Sequence, residues 1–102
     1  MTYVKINDTL YPALISGRTV DRDWNNRASK AITLEMSHTD AMALFVDNLE
    51  WFIVYEVDEV TEIYDNTEYS VAGSITDNRD GTVTVRMGKP TDAEILAVIM
   101  GG

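Results

Sequence analysis

The sequence lacks cysteine and has little histidine or proline: its 102 residues include no cysteine, one histidine and two prolines. Without cysteine the chain forms no disulfide, no thiolate metal site and no cysteine nucleophile. It has no apolar run of about eighteen residues, the length of a membrane-spanning helix, and its start lacks the basic and apolar blocks of a signal peptide. These absences predict a cytoplasmic protein whose fold depends on packing alone.

Basic residues are missing from the middle of the chain. Residues 40 to 68 hold nine Asp or Glu and no Lys or Arg, whereas the rest of the chain holds eight acids and eight bases, so the net charge of −9 lies in this stretch. An acidic surface repels phosphate groups, which predicts no direct binding to nucleic acid or to membranes. Two interpretations stay open: a solvated face that keeps the protein soluble, or a patch that meets a basic partner. The candidate acidic patch comprises Glu56, Asp58, Glu59, Glu62, Asp65 and Glu68.

The apolar pattern predicts a single α+β domain over residues 1–102. Strand-like and helical segments follow in the order β-β-β-α-β-β-β-α, which indicates an antiparallel sheet of five or six strands with two helices, and a curled or barrel-like sheet fits the same order. The first hairpin turns at Asn7 and Asp8. Pro12 cannot donate a ladder hydrogen bond and predicts an edge or a bulge for the second strand. Residues 17–29 lose all alternation and are predicted to be a long polar connection.

The next segments change period twice. KAITLEM alternates as a half-buried strand does, and a helix is predicted over residues 39–48, with Ser37 or Thr39 as its cap. WFIVYEV is continuously apolar, which predicts a central strand covered on both faces. DEVTEIYDNT is predicted to be a polar connection, with room for a short strand or a hairpin tip.

A hairpin and a helix complete the chain. Asp80 and Gly81 are residue types that tolerate positive φ, and they separate the strand-like runs EYSVAGSIT and TVTVRMG. Thr91 and Glu94 have the spacing of a capping box, which predicts a terminal helix over residues 91–100.

The stretch DRDWNNR places Asp21, Asp23 and Asn25 at the alternating positions of a calcium loop. A calcium loop that begins at Asp21 needs glycine at its sixth position and glutamate at its twelfth. Asn26 and Ile32 stand at those positions. We therefore interpret this stretch, like DNRDG further along, as a turn in which Asp and Asn side chains accept local backbone amides.

Catalytic chemistry has few candidate residues. His38 has Ser37 and Thr39 as sequence neighbours, and neighbouring side chains point apart in most backbones. The carboxylates between Glu56 and Glu62 suit glycosidase-type chemistry by residue type, but a small chain leaves little room for the substrate cleft. Apart from the final pair, the glycines are single, so no phosphate loop is present. The sequence predicts a protein that is not an enzyme, with no catalytic residue, no cofactor and no metal ligand.

Two surfaces are candidates for partner binding. Trp24 with Arg22 and Arg27 combines residue types that dominate binding energy at interfaces. The alternative is that Trp24 caps the core while the arginines pair with the acidic stretch of the same chain. In the terminal helix, Ile95, Val98 and Met100 belong to an apolar set too wide for one stripe. Either this helix is deeply buried, or its outer side meets another subunit.

The chain as a whole resembles the small, uncharacterised prophage-associated proteins of gut Firmicutes. The resemblance is carried by VKINDTLYPALISGR, by DRDWNNRASKAITLEMSHTDAMALFVDNLEW and by EYSVAGSITDNRDGTVTVRMGKPTDAEILAVIM. These segments cover nearly the full length but contain no motif of known mechanism. The resemblance implies a mobile element within a bacterial host, where small proteins without enzymatic activity serve virion assembly.

Three functions follow, in decreasing order of preference. The first is a phage-derived structural or assembly protein of the tail or head-tail apparatus, located in the host cytoplasm or the virion, that binds other phage structural proteins or itself. The second is a regulatory binder whose acidic stretch imitates the charge of DNA and occupies a host protein. The third is a small hydrolase that uses carboxylates and His38.

Overall fold

The computed structural model describes the backbone of residues 1–101 and the side chains of residues 1–97. Within that range the chain forms seven strands and two helices, and all the strand pairs are antiparallel. The elements are β1 (Thr2–Ile6), β2 (Thr9–Asp21), β3 (Arg27–Glu35), α1 (His38–Leu44), β4 (Phe52–Val57), β5 (Val60–Asp65), β6 (Val71–Asp77), β7 (Thr82–Gly88) and α2 (Asp92–Gly101).

The strands form one open sheet in the order β5-β4-β1-β2-β3-β7-β6. The predicted α+β class and the placement of the two helices are confirmed, with one or two strands more than the five or six predicted. The additional strand is β5, which lies in the segment predicted as a polar connection with room for a short strand or a hairpin tip. Its partner is β4, and the turn between them consists of Asp58 and Glu59, both in the left-handed region with φ of 49° and 66°. Such a pair matches the twist of the flanking strands.

The predicted turns at the other two hairpins are confirmed. Asn7 and Asp8 join β1 to β2 with φ of 50° and 65°. Between β6 and β7, Gly81 has φ of 89°, a conformation that costs glycine little because it has no Cβ. Arg79 is also left-handed there, with φ of 61°. Local turn chemistry therefore sets the register of both hairpins.

Strand β2 is longer than predicted and has two different partners. Residues Thr9 to Pro12 pair with β1, and residues Ala13 to Asp21 pair with β3. Pro12 therefore lies at the point where one ladder ends and the next begins. The prediction that β2 is an edge strand is wrong, because β1 and β3 flank it, but Pro12 itself pairs with β1 alone and has no ladder partner on the β3 side. The bulge of β2 falls between Arg18 and Asp21 instead.

The prediction of a long polar connection over residues 17–29 is also wrong. Residues 17–21 belong to β2 and residues 27–29 to β3, so the connection comprises residues 22–26. The sequence shows no alternation of polar and apolar residues here because residues 17–20 are exposed and the buried residues that follow, Asp21, Arg27 and Ser29, are polar. Asn25 and Asn26 make the turn with φ of 56° and 58°, as the interpretation of DRDWNNR as a turn requires.

The hydrophobic core lies on one face of the sheet, beneath α1. It is formed by alternate residues of the central strands, together with Ala41 and Phe45 of the helical segment and Trp51 before β4. Trp51 is 0% exposed and donates from Nε1 to the carbonyl of Tyr69 at 3.1 Å. The strand members of this core are Val4, Ile6, Ala13, Ile32, Leu34, Ile53, Val83, Val85 and Met87.

Helix α1 is shorter than the predicted span of 39–48. Ser37 is its N-cap, because its Oγ accepts from the amide of Asp40 at 3.1 Å. The helix ends at Leu44, and Phe45 leaves the helical conformation. Asp47, which was predicted to be helical, instead accepts from the amide of Ala72 at 2.8 Å and so connects this segment to β6.

Candidate protein-interaction site

The longest run of exposed residues in the described structure lies in the outer part of the β4–β5 hairpin, and we call residues 55–64 of this run the arm. All ten of its residues are exposed. Strand β4 pairs with β1 on its other side, whereas β5 is the last strand of the sheet and has a free edge. The prediction that WFIVYEV is covered on both faces therefore holds for Ile53 and Val54, which are 2% and 3% exposed, and is wrong for the arm.

One face of the arm is apolar. In the register of the hairpin, Val57 pairs with Val60, and Tyr55 lies two residues from Val57 on the same face. Tyr64 pairs with Ile53 and so shares this face. The rings of Tyr55 and Tyr64 meet edge to face with centroids 5.5 Å apart. This face continues the core-facing side of β4, which is buried at Ile53 and exposed from Tyr55 onward.

The opposite face and the tip carry most of the acids. All six residues of the predicted acidic patch are exposed. Glu56 and Asp65 lie on the face opposite the apolar one, Asp58 and Glu59 form the turn, and Glu62 lies among the tyrosines. The acids are therefore spread over two faces and a tip. The hydroxyl of Tyr64 donates to Glu62 at 2.7 Å, and this bond to a carboxylate raises the pKa of Tyr64.

The predicted Trp24 surface is largely engaged within the fold. Trp24 is half-buried, and its ring lies over Gly73 of β6 and Gly88 of β7. The guanidinium of Arg27 lies 4.6 Å from the centroid of that ring. Arg27 is 4% exposed, so Arg22 is the exposed member of the predicted set. The partner-binding role of these residues stays a prediction. The alternative is not matched either, because Trp24 packs on Gly73 and Gly88 and is not a core residue. The acid that Arg27 contacts, Glu94, lies outside the acidic stretch.

Arg27 also connects helix α2 to the body. Its Nη2 donates to Glu94 Oε2 at 2.9 Å, and its Nη1 lies 2.9 Å from Oε1. Hydrogen bonds from Arg27, reinforced by the amide of Thr91, lower the pKa of Glu94 from 4.5 to about 2. The capping box of Thr91 and Glu94 is confirmed, with bonds of 2.8 and 3.3 Å. Sequence reasoning missed this ion pair because it joins residues 67 positions apart.

The first turns of helix α2 expose apolar side chains. Ile95 and Leu96 are 44% and 54% exposed, so at these positions the helix is not a deeply buried lid. Ile95 and Pro90 line a cleft of about 460 Å³ between this helix and the segment that precedes β6. The side chains of Val98 and Met100, predicted to contact a partner, lie outside the described residues.

The two candidate sites for chemistry in the sequence, the DRDWNNR stretch and His38, lie at different ends of strand β3. Asp21 is fully buried, whereas Asp23 is exposed and His38 is exposed at the start of α1. Among the residues that the structure describes, no group of three or more His, Asp or Glu side chains is placed to hold a metal ion.

A polar groove that the sequence did not reveal crosses the outer face of the sheet, opposite the core. It has a volume of about 450 Å³ and is lined by side chains of β2, β3, β6 and β7, together with Asn78. We call it the arginine groove, because Arg18 and Arg86 are its charged residues and no acid lines it. Its other lining residues are Ser16, Ser29, Ala31, Ser74, Thr76, Asn78 and Thr84. It could not be found in the sequence because four strands contribute to it.

Comparisons with protein-family models, with curated proteins and with solved structures find no match for this chain. In the described part of the chain, no helix is long and apolar enough to cross a membrane.

Proposed function

We propose that the protein acts through protein-protein contacts, as a structural or assembly component of a phage tail or head-tail apparatus. The observation that carries the proposal is the apolar face of the arm, formed by Tyr55, Val57, Val60 and Tyr64, which are 37%, 61%, 60% and 50% exposed. The phage context comes from the resemblance of the sequence. The arm supports the mode of action, because contiguous exposed apolar surface marks interaction sites.

The arm has the composition of a binding surface. Burying a large apolar side chain contributes about 1.5 to 3 kcal/mol, and tyrosine is enriched among the residues that dominate interface energy. The free edge of β5 adds unpaired backbone groups that another chain can meet. Glu56 and Glu62 disfavour the pairing of two identical arms, because like charges repel across a strand pair. A partner surface with basic residues therefore fits the arm better than a second arm does.

An enzymatic role is the least favoured reading. The cleft beside α1 has a volume of about 380 Å³ and is lined by Glu35 and Asp40 but not by His38. The hydrolase hypothesis needs His38 to face a substrate cleft together with a carboxylate.

The exposure of all six acids in the predicted patch favours DNA mimicry as a second candidate function. Their spread over two faces of the hairpin disfavours it, because a mimic presents its charges in a row. Mimicry predicts binding to a basic host protein that weakens steeply with salt. Titrating a basic DNA-binding protein at about 50 and 200 mM salt distinguishes this from an apolar contact, whose affinity changes little over that range.

Sedimentation velocity over a range of concentrations tests the assembly proposal. We expect concentration-dependent self-association, or capture of virion proteins encoded beside this gene. The double variant Val57→Ser/Val60→Ser should weaken either interaction at least about tenfold, since it removes two apolar anchors of about 1 kcal/mol or more each. Thr61→Ser, on the opposite face of the same hairpin, is the matched control and should change nothing. A wild-type protein that stays monomeric and captures no virion protein contradicts the proposal.

A further inference from the structure

We propose that the arginine groove receives the acidic tip of the arm, Asp58 and Glu59, from a second copy of the chain. Repeated contacts of this kind assemble the protein head to tail. This inference rests on the proposed function, because it names the partner of the same arm.

The arginine groove carries a local excess of positive charge. Behind its wall, Asp21 is fully buried; its Oδ2 accepts from Ser29 Oγ at 3.0 Å and lies 3.4 Å from Arg86 Nη1. Its Oδ1 has no hydrogen-bond partner among the described residues and lies 4.0 Å from Arg18 Nη1. One carboxylate thus holds two guanidiniums at the same end of the groove. Guanidiniums are suited to paired bonds with further carboxylates.

The tip of the arm supplies the complementary charge. Asp58 and Glu59 are adjacent, exposed and held in a left-handed turn, so both carboxylates project from one narrow end of a hairpin. Neither forms an ion pair with a described Lys or Arg of its own chain. A groove of about 450 Å³ lies in the size range that holds a small-molecule ligand, which leaves room for two acidic side chains.

The sheet order makes this contact intermolecular. The arm belongs to the β5 and β4 end of the sheet, whereas the groove lies on β2, β3, β7 and β6, with β1 between the two groups. A hairpin cannot reach across its own sheet to the opposite end. A contact between two different surfaces of identical chains is heterologous, so it builds a ring or a filament.

An apolar residue beside the groove completes the complementarity. Leu14 lies on β2 on the same face as Ser16 and Arg18, and it is 75% exposed. When the tip enters the groove, Leu14 offers an apolar neighbour to the valines that flank the tip, Val57 and Val60.

Charge reversal with recombination tests the pairing. The tip variant is Asp58→Lys/Glu59→Lys, and the groove variant is Arg18→Glu/Thr76→Glu, which removes the 4.0 Å contact of Arg18 with buried Asp21 but keeps the closer contact of Arg86. Each variant alone should self-associate about tenfold or more weakly than wild type, because like charges then meet in the contact. An equal mixture should regain association to within about threefold of wild type, because both contacts in an alternating chain again join opposite charges.

The control variant Glu50→Lys/Asp92→Lys makes the same change in net charge as the tip variant, because each converts two acids to two lysines, and its positions are exposed and away from both surfaces. It should keep self-association within about threefold of wild type. Far-ultraviolet circular dichroism establishes that each variant is folded.

Two results overturn this inference and leave the proposed function standing. The first is self-association that Val57→Ser/Val60→Ser weakens but the tip and groove variants do not. The second is a monomeric wild type that binds another virion protein through its arm. Folded variants that are both weakened and do not recover on mixing also overturn the pairing.

Discussion

The two halves of β4 show how the same sequence pattern leads to opposite environments. Alternate residues of this segment, Trp51, Ile53, Tyr55 and Val57, share one face, and their exposed fractions are 0%, 2%, 37% and 61%. All four are apolar or aromatic and all favour a strand. The first two belong to the core, where Trp51 packs against Tyr69, whereas the last two extend beyond it. Burial here is decided by what packs on the strand, and the strand's own residues do not reveal where the cover ends.

The body, by which we mean the described fold outside the arm, also differs from the arm in the environment of its charged side chains. In the body, Arg27 and Asp21 are buried and held by several side chains. In the arm, the acids are solvated. Asp65 and Glu68 complete the acidic patch just outside the arm. Among the described contacts of the six acids, Glu62 accepts from Tyr64, Asp65 accepts from the amide of Thr67 at 2.8 Å, and Glu68 lies 3.4 Å from Lys89 Nζ. Buried charges with several partners, such as Arg27 and Asp21, contribute to the fold, whereas exposed charges of one sign set the choice of partner. We therefore expect substitutions in the body to change stability and substitutions in the arm to change association.

The sharpest contrast is one substitution made in both regions. Val85→Ala removes two methyl groups from a side chain that is 1% exposed, and it should reduce the free energy of unfolding by about 2 to 4 kcal/mol. Val57→Ala makes the same change at 61% exposure and should cost less than about 1 kcal/mol. Urea denaturation followed by tryptophan fluorescence measures both. Equal costs would mean that the arm packs on the body in solution.

Residues whose role is local could be predicted from the sequence. The turns at Asn7 and Gly81, the cap at Ser37 and the capping box of Thr91 all follow from hydrogen bonds or φ preferences within a few residues. The predictions that failed concern longer range. The end of β2, residues 17–21, is one such case. Its residues are mostly polar and do not alternate, so this part of the strand is defined only by its pairing with β3.

The candidate sites divide in the same way. The acidic stretch was evident from charge alone, but its division between two faces and a tip depends on the β4–β5 register. The apolar face of the arm could not be predicted, because the polar residues of DEVTEIYDNT indicate a connection with room for a short strand or a hairpin tip, and neither defines a pairing with β4. Arg27 was predicted to meet a partner, since an isolated arginine in a polar stretch gives no sign of Glu94 on a distant helix. The arginine groove needs four strands and could not be predicted at all.

An intermediate loss of unfolding free energy is expected for substitutions of the glycines on which Trp24 packs, at the outer face of the sheet. A Cβ added at Gly73 would lie 2.5 Å from Trp24 Cη2, and one added at Gly88 would lie 2.7 Å from Arg27 Cδ. Gly73→Ala and Gly88→Ala should therefore each cost about 1 to 3 kcal/mol through overpacking. The matched control is Gly17→Ala, where the nearest atom, Lys30 Cγ, lies at 4.0 Å. Thermal unfolding of the three variants separates a specific clash from a general intolerance of alanine. If Gly17→Ala is as damaging as the others, the close packing of Trp24 is not the cause.

The smallest effect is expected for the local stability of α2. This helix is exposed like the arm, but the ion pair between Arg27 and Glu94 holds it to the body. Because the folded-state pKa of Glu94 is about 2, below its ordinary value of 4.5, the stabilisation that it contributes is complete above pH 4.5 and is lost as the pH falls towards 2. Hydrogen-exchange protection factors of the amides of Ile95 to Ala97 should decrease over that range. Glu94→Gln should lower these factors at pH 7 and remove most of their acid dependence, whereas Asp92→Asn should preserve it. Protection that Glu94→Gln leaves unchanged would show that apolar contacts hold the helix, and that α2 belongs with the body and not with the arm.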